Sequence, residues 1–92
     1  MKSKYKLDKI IDRINKLNIE GIKVILDMIV DTDKGIMYFK IKAVNRFNEI
    51  IEQEDFTDIP REYLDKYYDK YKTIASVDIY KIINGKMIPN KL

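Results

Sequence analysis

The sequence predicts a small α+β domain in which two β-hairpins share one sheet and two or three helices cover it. Residues 22–44 contain two runs of period two around a polar turn, and residues 74–88 contain a second pair of runs around Asn84-Gly85. Helical spacing precedes and separates the hairpins. We expect one domain over residues 1–92, in the order α-β-β-α(α)-β-β, with an antiparallel or mixed sheet of about four strands.

The first element is a predicted helix over about residues 4–19. Its apolar stripe recurs at three- and four-residue steps and consists of Leu7, Ile10, Ile11, Ile14 and Leu17. Gly21 follows, where a left-handed residue favours the end of a helix. Residues 2–16 carry a net charge of +4, which is typical of a solvated face, and a binding surface is the alternative.

The central hairpin over residues 22–44 has one face that is predicted to be buried. In its first strand the alternating apolar residues are Ile22, Val24, Leu26, Met28 and Val30, and in its second they are Met37, Phe39, Ile41 and Ala43. Because successive side chains of a strand point to opposite faces, Tyr38, Lys40 and Lys42 are expected to point outward. Ile25 and Ile29 would join them. Gly35 closes the turn, where a positive φ is allowed.

The segment after this hairpin is predicted to form a short helix over residues 46–53, capped by Asn45. Its apolar side would consist of Phe47, Ile50 and Ile51. Continuation of the second strand through a bulge is the alternative. Residues 49–58 carry five carboxylates and no basic residue, which is typical of a solvated face. A phosphate mimic or a cation site is the other interpretation of this stretch.

A further helix is predicted over residues 59–72, with Asp58 as its cap and Pro60 in its first turn. One broad face contains Tyr63, Leu64, Tyr67, Tyr68 and Tyr71. Packing against the sheet explains most of these residues. Tyr63 and Tyr68 lie at the margins of the face, so we expect wet hydroxyls there and include both residues among the candidate binding residues.

The final hairpin places Ala75, Val77 and Ile79 on one side, and Ser76, Asp78, Tyr80 and Ile82 on the other. Asn84-Gly85 predicts a type I′ turn, because both central residues of that turn need a positive φ. Pro89 ends the last strand or marks it as an edge.

The sequence contains no histidine and no cysteine. Histidine titrates near neutral pH, so its absence removes most general acid–base mechanisms and most transition-metal sites. Without cysteine there is no disulfide and no thiol chemistry. We therefore expect a protein that is not an enzyme and that uses no cofactor or metal ion.

Residues 31–35, Asp-Thr-Asp-Lys-Gly, begin like a calcium-binding loop, with aspartates at alternate positions. The match then fails, because Gly35 stands in place of a third oxygen ligand and Lys42 in place of the bidentate glutamate. We expect a hairpin turn here. A weak magnesium site through Asp31 and Asp33 is the alternative.

The composition indicates a cytoplasmic protein from an AT-rich genome. No run of about eighteen apolar residues occurs, so no segment is expected to span a membrane. The basic N-terminus lacks the apolar region of a signal peptide, and the absence of cysteine fits a reducing compartment. Lysine, isoleucine, asparagine and tyrosine, which have AT-rich codons, are abundant.

The candidate binding residues on the outer sheet face are Tyr38, Lys40, Lys42 and Tyr80. Tyrosines interleaved with lysines are typical of sheets that bind nucleic acid, but Asp27 and Asp78 would repel phosphates. A protein interface or a homo-oligomer seam fits the same face. We expect a small protein-binding regulator or inhibitor, such as a phage or mobile-element accessory protein that acts on a host or defence enzyme. Nucleic-acid binding through this face and the basic first helix is the alternative.

Overall fold

The computed structural model describes residues 2–60 and 62–90, which form two helices and one five-stranded sheet. The elements are α1 (Lys2–Ile19), β1 (Lys23–Asp31), β2 (Ile36–Val44), β3 (Ile50–Phe56), α2 (Glu62–Ile74), β4 (Ser76–Ile83) and β5 (Lys86–Pro89). The small α+β fold with a mixed sheet is confirmed, whereas the four strands expected become five. The side chains of Leu7, Leu64 and Tyr67, predicted to be apolar contacts, and those of Lys2, Lys4 and Lys6, predicted to be a basic face, lie outside the described residues.

The sheet has the strand order β3-β2-β1-β4-β5, with β1 at its centre. β2 pairs antiparallel with both β1 and β3, and β5 pairs antiparallel with β4. β4 pairs parallel with β1. The helix α2 makes this parallel pair possible, because it carries the chain from the β3 edge to the opposite side of β1.

Both helices pack on one face of the sheet, where the hydrophobic core lies. The register places Leu26 opposite Ile41 and Met28 opposite Phe39, so the apolar sets predicted for the two strands share this face. The helices add Ile10, Ile14, Leu17, Tyr63 and Tyr71 to the same buried cluster. Phe39 meets Tyr71 edge to face, with ring centroids 5.6 Å apart.

The helix predicted over residues 46–53 is wrong, because the chain reverses sharply there and enters β3. The Asn45 side-chain oxygen accepts the N–H groups of Phe47 (2.9 Å) and Glu49 (3.0 Å), which ties the segment into a turn. Asn48 has a positive φ of 63°. Pairing with β2 then extends from Ile50, with a bulge at Ala43/Val44. The supposed apolar side is therefore exposed, at 71% for Phe47 and 55% each for Ile50 and Ile51.

The second helix begins later than predicted, at Glu62. Ile59 is buried, and its N–H donates to the Met37 carbonyl oxygen at 3.0 Å, so this residue is held against β2. Asp58 has a φ of 54°. A helix cap normally has an extended backbone, so Asp58 is not the cap of α2. The Tyr63 N–H donates to the Pro60 carbonyl oxygen at 2.9 Å, so Pro60 lies in the turn that leads into the helix.

The two hairpin turns β1–β2 and β4–β5 contact each other through Asp33. Its two carboxylate oxygens accept the N–H groups of Asn84 (2.8 Å) and Gly85 (2.7 Å). These residues have φ values of 52° and 76°, which confirms the predicted type I′ turn. Asp31 accepts the Lys34 N–H at 3.1 Å. Both carboxylates of the alternative magnesium site therefore serve as turn acceptors.

The helices are short or polar by the standard of membrane-spanning segments. Within the described residues, no helix combines the length and the apolarity needed to cross a bilayer.

Candidate interaction surface on the open face of the sheet

The sheet face opposite the helices is the candidate functional surface, and we call it the open face. Its central members are Ile25, Asp27 and Ile29 of β1, Tyr38, Lys40 and Lys42 of β2, and Ser76, Asp78 and Tyr80 of β4. The predicted outward placement of the tyrosines and lysines follows from the alternation in each strand. The registers of β2 and β4 against β1 bring four of the six candidate binding residues onto one surface.

A row of two tyrosines crosses the middle of the open face. Ile29 is opposite Tyr38 on one side and opposite Tyr80 on the other. Ile29 is only 1% exposed although it lies on the face without helices, and both tyrosines are half-buried. The two tyrosines thus lie on either side of a buried apolar residue, and part of each tyrosine side chain remains accessible.

The next row carries charges of both signs. Asp27 is opposite Lys40 on β2 and opposite Asp78 on β4. Lys42 Nζ lies 2.6 Å from Asp27 Oδ2, and both side chains are mostly buried. Asp27 Oδ1 is also buried, and it has no hydrogen-bond partner among the described residues. Lys42 is therefore paired within the molecule, and Lys40 and Asp78 are the charges that flank Asp27 on the neighbouring strands.

The electrostatic environment of this row acts on the Tyr80 phenol. Burial raises the pKa of Tyr80 above its ordinary value of 10.0, and the carboxylates of Asp27 and Asp78 raise it further. Lys42 acts in the opposite direction and lowers it. The raised pKa extends to higher pH the range over which the Tyr80 phenol stays protonated and can donate a hydrogen bond.

One end of the open face is apolar. Asp31 lies between Ile36 of β2 and Ile82 of β4, and Met87 of β5 is opposite Ile82. Ile36 and Met87 are both exposed. Together with the tyrosine row they give the open face an apolar part next to its charged row.

Two predicted binding residues do not lie on the open face. Tyr63 is buried at 4% exposure, which corrects the expectation of a wet hydroxyl at the rim. Tyr68 is half-buried against the core, with the Lys72 ammonium 4.8 Å from its ring centroid. Tyr68 and Tyr80 nevertheless line one cavity of about 420 Å³ at the β4 edge, which Tyr68 approaches from the helix side.

Two of the five carboxylates in the acidic stretch of residues 49–58 form ion pairs with α1. Arg13 forms ion pairs with Glu52 and with Glu54 of β3, and its Nε lies 3.3 Å from Glu54 Oε1. The basic helix and the acidic strand thus neutralise each other in part. In the described structure, no group of three or more acidic side chains is arranged to hold a metal ion.

Sequence reasoning did not include Asp27, Ile29 and Asp78 among the candidate binding residues. The alternation of side chains along each strand was enough to predict that Asp27 and Asp78 lie on the same face as the lysines. Their proximity depends on the parallel pairing of β1 with β4, which joins residues 51 positions apart such as Asp27 and Asp78. That the two carboxylates lie next to each other could therefore be learned only from the folded structure.

No family model matches this chain, and neither a curated protein nor a solved structure matches it at a significant level. The interpretation of the open face therefore rests on its own residues.

Proposed function

We propose that this chain is a cytoplasmic, non-enzymatic protein that regulates or inhibits a partner protein by binding it with the open face. The observation that carries the proposal is the composition of that face: a row with two half-buried tyrosines beside a row that carries both signs of charge. Tyrosine is favoured at protein interfaces, because it supplies a large apolar area together with a polar tip.

The tyrosine row supports protein binding because it is organised before a partner arrives. Tyr38 and Tyr80 flank the buried Ile29, so their side chains lose less conformational freedom on binding than free surface side chains would. Ordering a flexible side chain at an interface costs about 0.5–1.5 kcal/mol, and a preorganised residue avoids much of that cost.

The charges favour a protein over a nucleic acid as the partner. Lys42 is paired with Asp27, and Asp78 lies beside that carboxylate in register. A phosphate backbone that approached Lys40 would meet these two carboxylates, whereas a protein surface can offer both signs in a matching order. A dedicated nucleic-acid site has a consistent excess of positive charge on one face.

The direct test is affinity capture from a lysate of the source organism with three immobilised baits. We expect one protein, identified by mass spectrometry, to be held by the wild type and by the control Asp69→Lys, whose site on α2 is remote from the open face and highly exposed. The same protein should be lost with Lys40→Asp. Equal capture by all three baits would place the binding surface elsewhere and contradict the proposal.

A second measurement distinguishes nucleic-acid binding from protein binding. Fluorescence anisotropy of labelled single-stranded and duplex oligonucleotides should show no binding, at low or at near-physiological salt. Binding that falls steeply with salt, and that is lost when Lys40→Ala and Lys42→Ala are combined, would overturn the protein-binding proposal, because it is the signature of phosphate contacts.

A further inference from the structure

We infer that the open face also binds a second copy of the chain, in a face-to-face dimer with two-fold symmetry. The inference rests on the proposed function in one respect: a dimer of this kind would compete with the partner protein for the same face and so regulate its access. The dimer itself follows from a separate observation, which is the order of charges across the central row.

That row reads Lys40, Asp27 and Asp78 across β2, β1 and β4. The cation and the outer anion therefore lie on opposite sides of β1, each one strand spacing of about 4.8 Å from it. A two-fold axis between two such faces, parallel to β1, lays β2 of one copy over β4 of the other at the same height. Lys40 of each copy then faces Asp78 of the other, so the symmetry forms the pair twice.

The other in-plane axis, perpendicular to the strands, would give the opposite result. It lays β2 over β2 and β4 over β4, so that lysines would approach lysines and Asp78 would approach Asp78. Juxtaposed like charges repel each other in an interface, so this arrangement is disfavoured. The order of charges therefore favours the two-fold axis parallel to β1 over the axis perpendicular to the strands.

The same operation matches the apolar rows. The row Tyr38–Ile29–Tyr80 lies over the same row of the second copy, which runs in the opposite direction. Each Tyr38 therefore faces Tyr80 of the second copy. At the apolar end, Ile36 faces Ile82 in the same way. Apolar contacts therefore flank the charged pairs on the side of the tyrosine row, and Ile25 lies between Lys42 and Ser76 on the other side.

The outward residues of β1 lie along the two-fold axis, so both Asp27 and Asp31 approach the same residue of the second copy. Each Asp27 carboxylate is neutralised by its own Lys42. Each Asp31 carboxylate is buried and accepts the Lys34 N–H of its own chain. Asp27 is the middle residue of the nine-residue strand β1 and so lies at the centre of the interface. Packed sheets are rotated by about 30° relative to each other, and such a rotation displaces central residues least. The Lys40–Asp78 pairs flank the centre directly and so retain their contact.

The test is sedimentation velocity of the purified full chain over a concentration series, with two single charge reversals. Wild type should dimerise, whereas Lys40→Asp and Asp78→Lys should each weaken the dimer at least about tenfold, because each places like charges opposite each other twice. An equimolar mixture of the two variants should dimerise again, since the heterodimer restores both opposite-charge pairs. The double variant Lys40→Asp with Asp78→Lys should restore the homodimer.

The control is Asp69→Lys, which changes charge to the same extent on α2 and should dimerise like wild type. Wild type that stays monomeric up to about 1 mM would overturn the inference. Dimerisation without rescue in the mixture would overturn it too. Circular dichroism confirms folding of each variant. Capture of a different protein is scored separately by its mass, so failure of the dimer and failure of the proposed function are distinguishable.

Discussion

Asp33 is a single residue that connects two turns which are far apart in sequence. Its carboxylate accepts the backbone N–H groups of Asn84 and Gly85, while the neighbouring Thr32 N–H donates to the Ile82 carbonyl oxygen at 3.0 Å. These bonds tie the β1–β2 turn to the β4–β5 turn. They also fix the end of the parallel β1–β4 pair, on which the open face depends.

Replacement of Asp33 by alanine should therefore destabilise the fold. Two charge-assisted hydrogen bonds are lost at an exposed site, so we expect Asp33→Ala to lower the free energy of unfolding by about 1–2 kcal/mol in urea denaturation. The matched control is Asp69→Ala, a carboxylate on α2 whose ion pair with Lys72 is solvent-exposed. It should change stability by less than about 0.5 kcal/mol. Equal effects of the two variants would contradict this role of Asp33.

Tyr80 gives a prediction about pH. Its pKa is raised in the folded state above the ordinary value of 10.0, so above that pH the unfolded chain loses the phenol proton more readily than the folded chain. The stabilising contribution is complete below about pH 10 and is lost as the pH rises through the folded-state pKa.

The free energy of unfolding of the wild type should consequently fall more steeply between about pH 9 and pH 11 than that of Tyr80→Phe, which has no phenol proton. Urea unfolding at several pH values in this range measures both slopes. Because the other tyrosines and the lysines titrate in both proteins, their effect cancels in the difference. Parallel slopes would show that burial and the nearby aspartates do not act on Tyr80.

At the scale of the elements, α1 is attached to the edge strand β3 by Arg13. Its guanidinium pairs with Glu52 and Glu54, and all three side chains are between about a quarter and a half exposed. Solvent screens such pairs, so each contributes at most about 1 kcal/mol. The contact nevertheless gives β3, which has mostly exposed side chains, a link to the helical layer.

A double-mutant cycle measures this link. We expect Arg13→Gln to lower the free energy of unfolding by about 0.5–1 kcal/mol, and to have little further effect once Glu52→Gln and Glu54→Gln are present. Lys16→Gln, a charge removal on the same helix, is the control and should stay within about 0.5 kcal/mol. An additive cycle, with no coupling energy, would mean that the ion pairs do not stabilise the attachment.

Element types were predictable where side-chain periodicity and turn chemistry agreed. β2 alternates between buried and half-buried residues, α1 keeps its helical stripe, and Asn84-Gly85 forms the turn that its residue types predict. β3 was missed because Phe47, Ile50 and Ile51 have a helix-like spacing. Hydrogen bonds from the Asn45 side chain and pairing with β2 override that spacing, and neither interaction leaves a periodic signal.

For the whole molecule, the strand order determines which side chains lie together on the open face. This order could not be predicted from the sequence. It follows from the crossover of α2 and from contacts between residues far apart in sequence, such as the pairing of Ile29 with Tyr80. Outward placement of Tyr38 and Lys40 required only alternation. The tyrosine row and the mixed-sign row required the parallel β1–β4 pair, so the composition of the open face became clear only in the folded chain.

Site-specific photo-cross-linking can locate the surface that binds another protein, with benzoylphenylalanine placed at Tyr38 on the open face or at Asp69 on α2. If the open face binds the partner, the probe at position 38 should form an adduct with a different protein in a lysate of the source organism, and the probe at position 69 should not. Adducts formed only from position 69 would rule out the open face and indicate that the partner binds on the helical side.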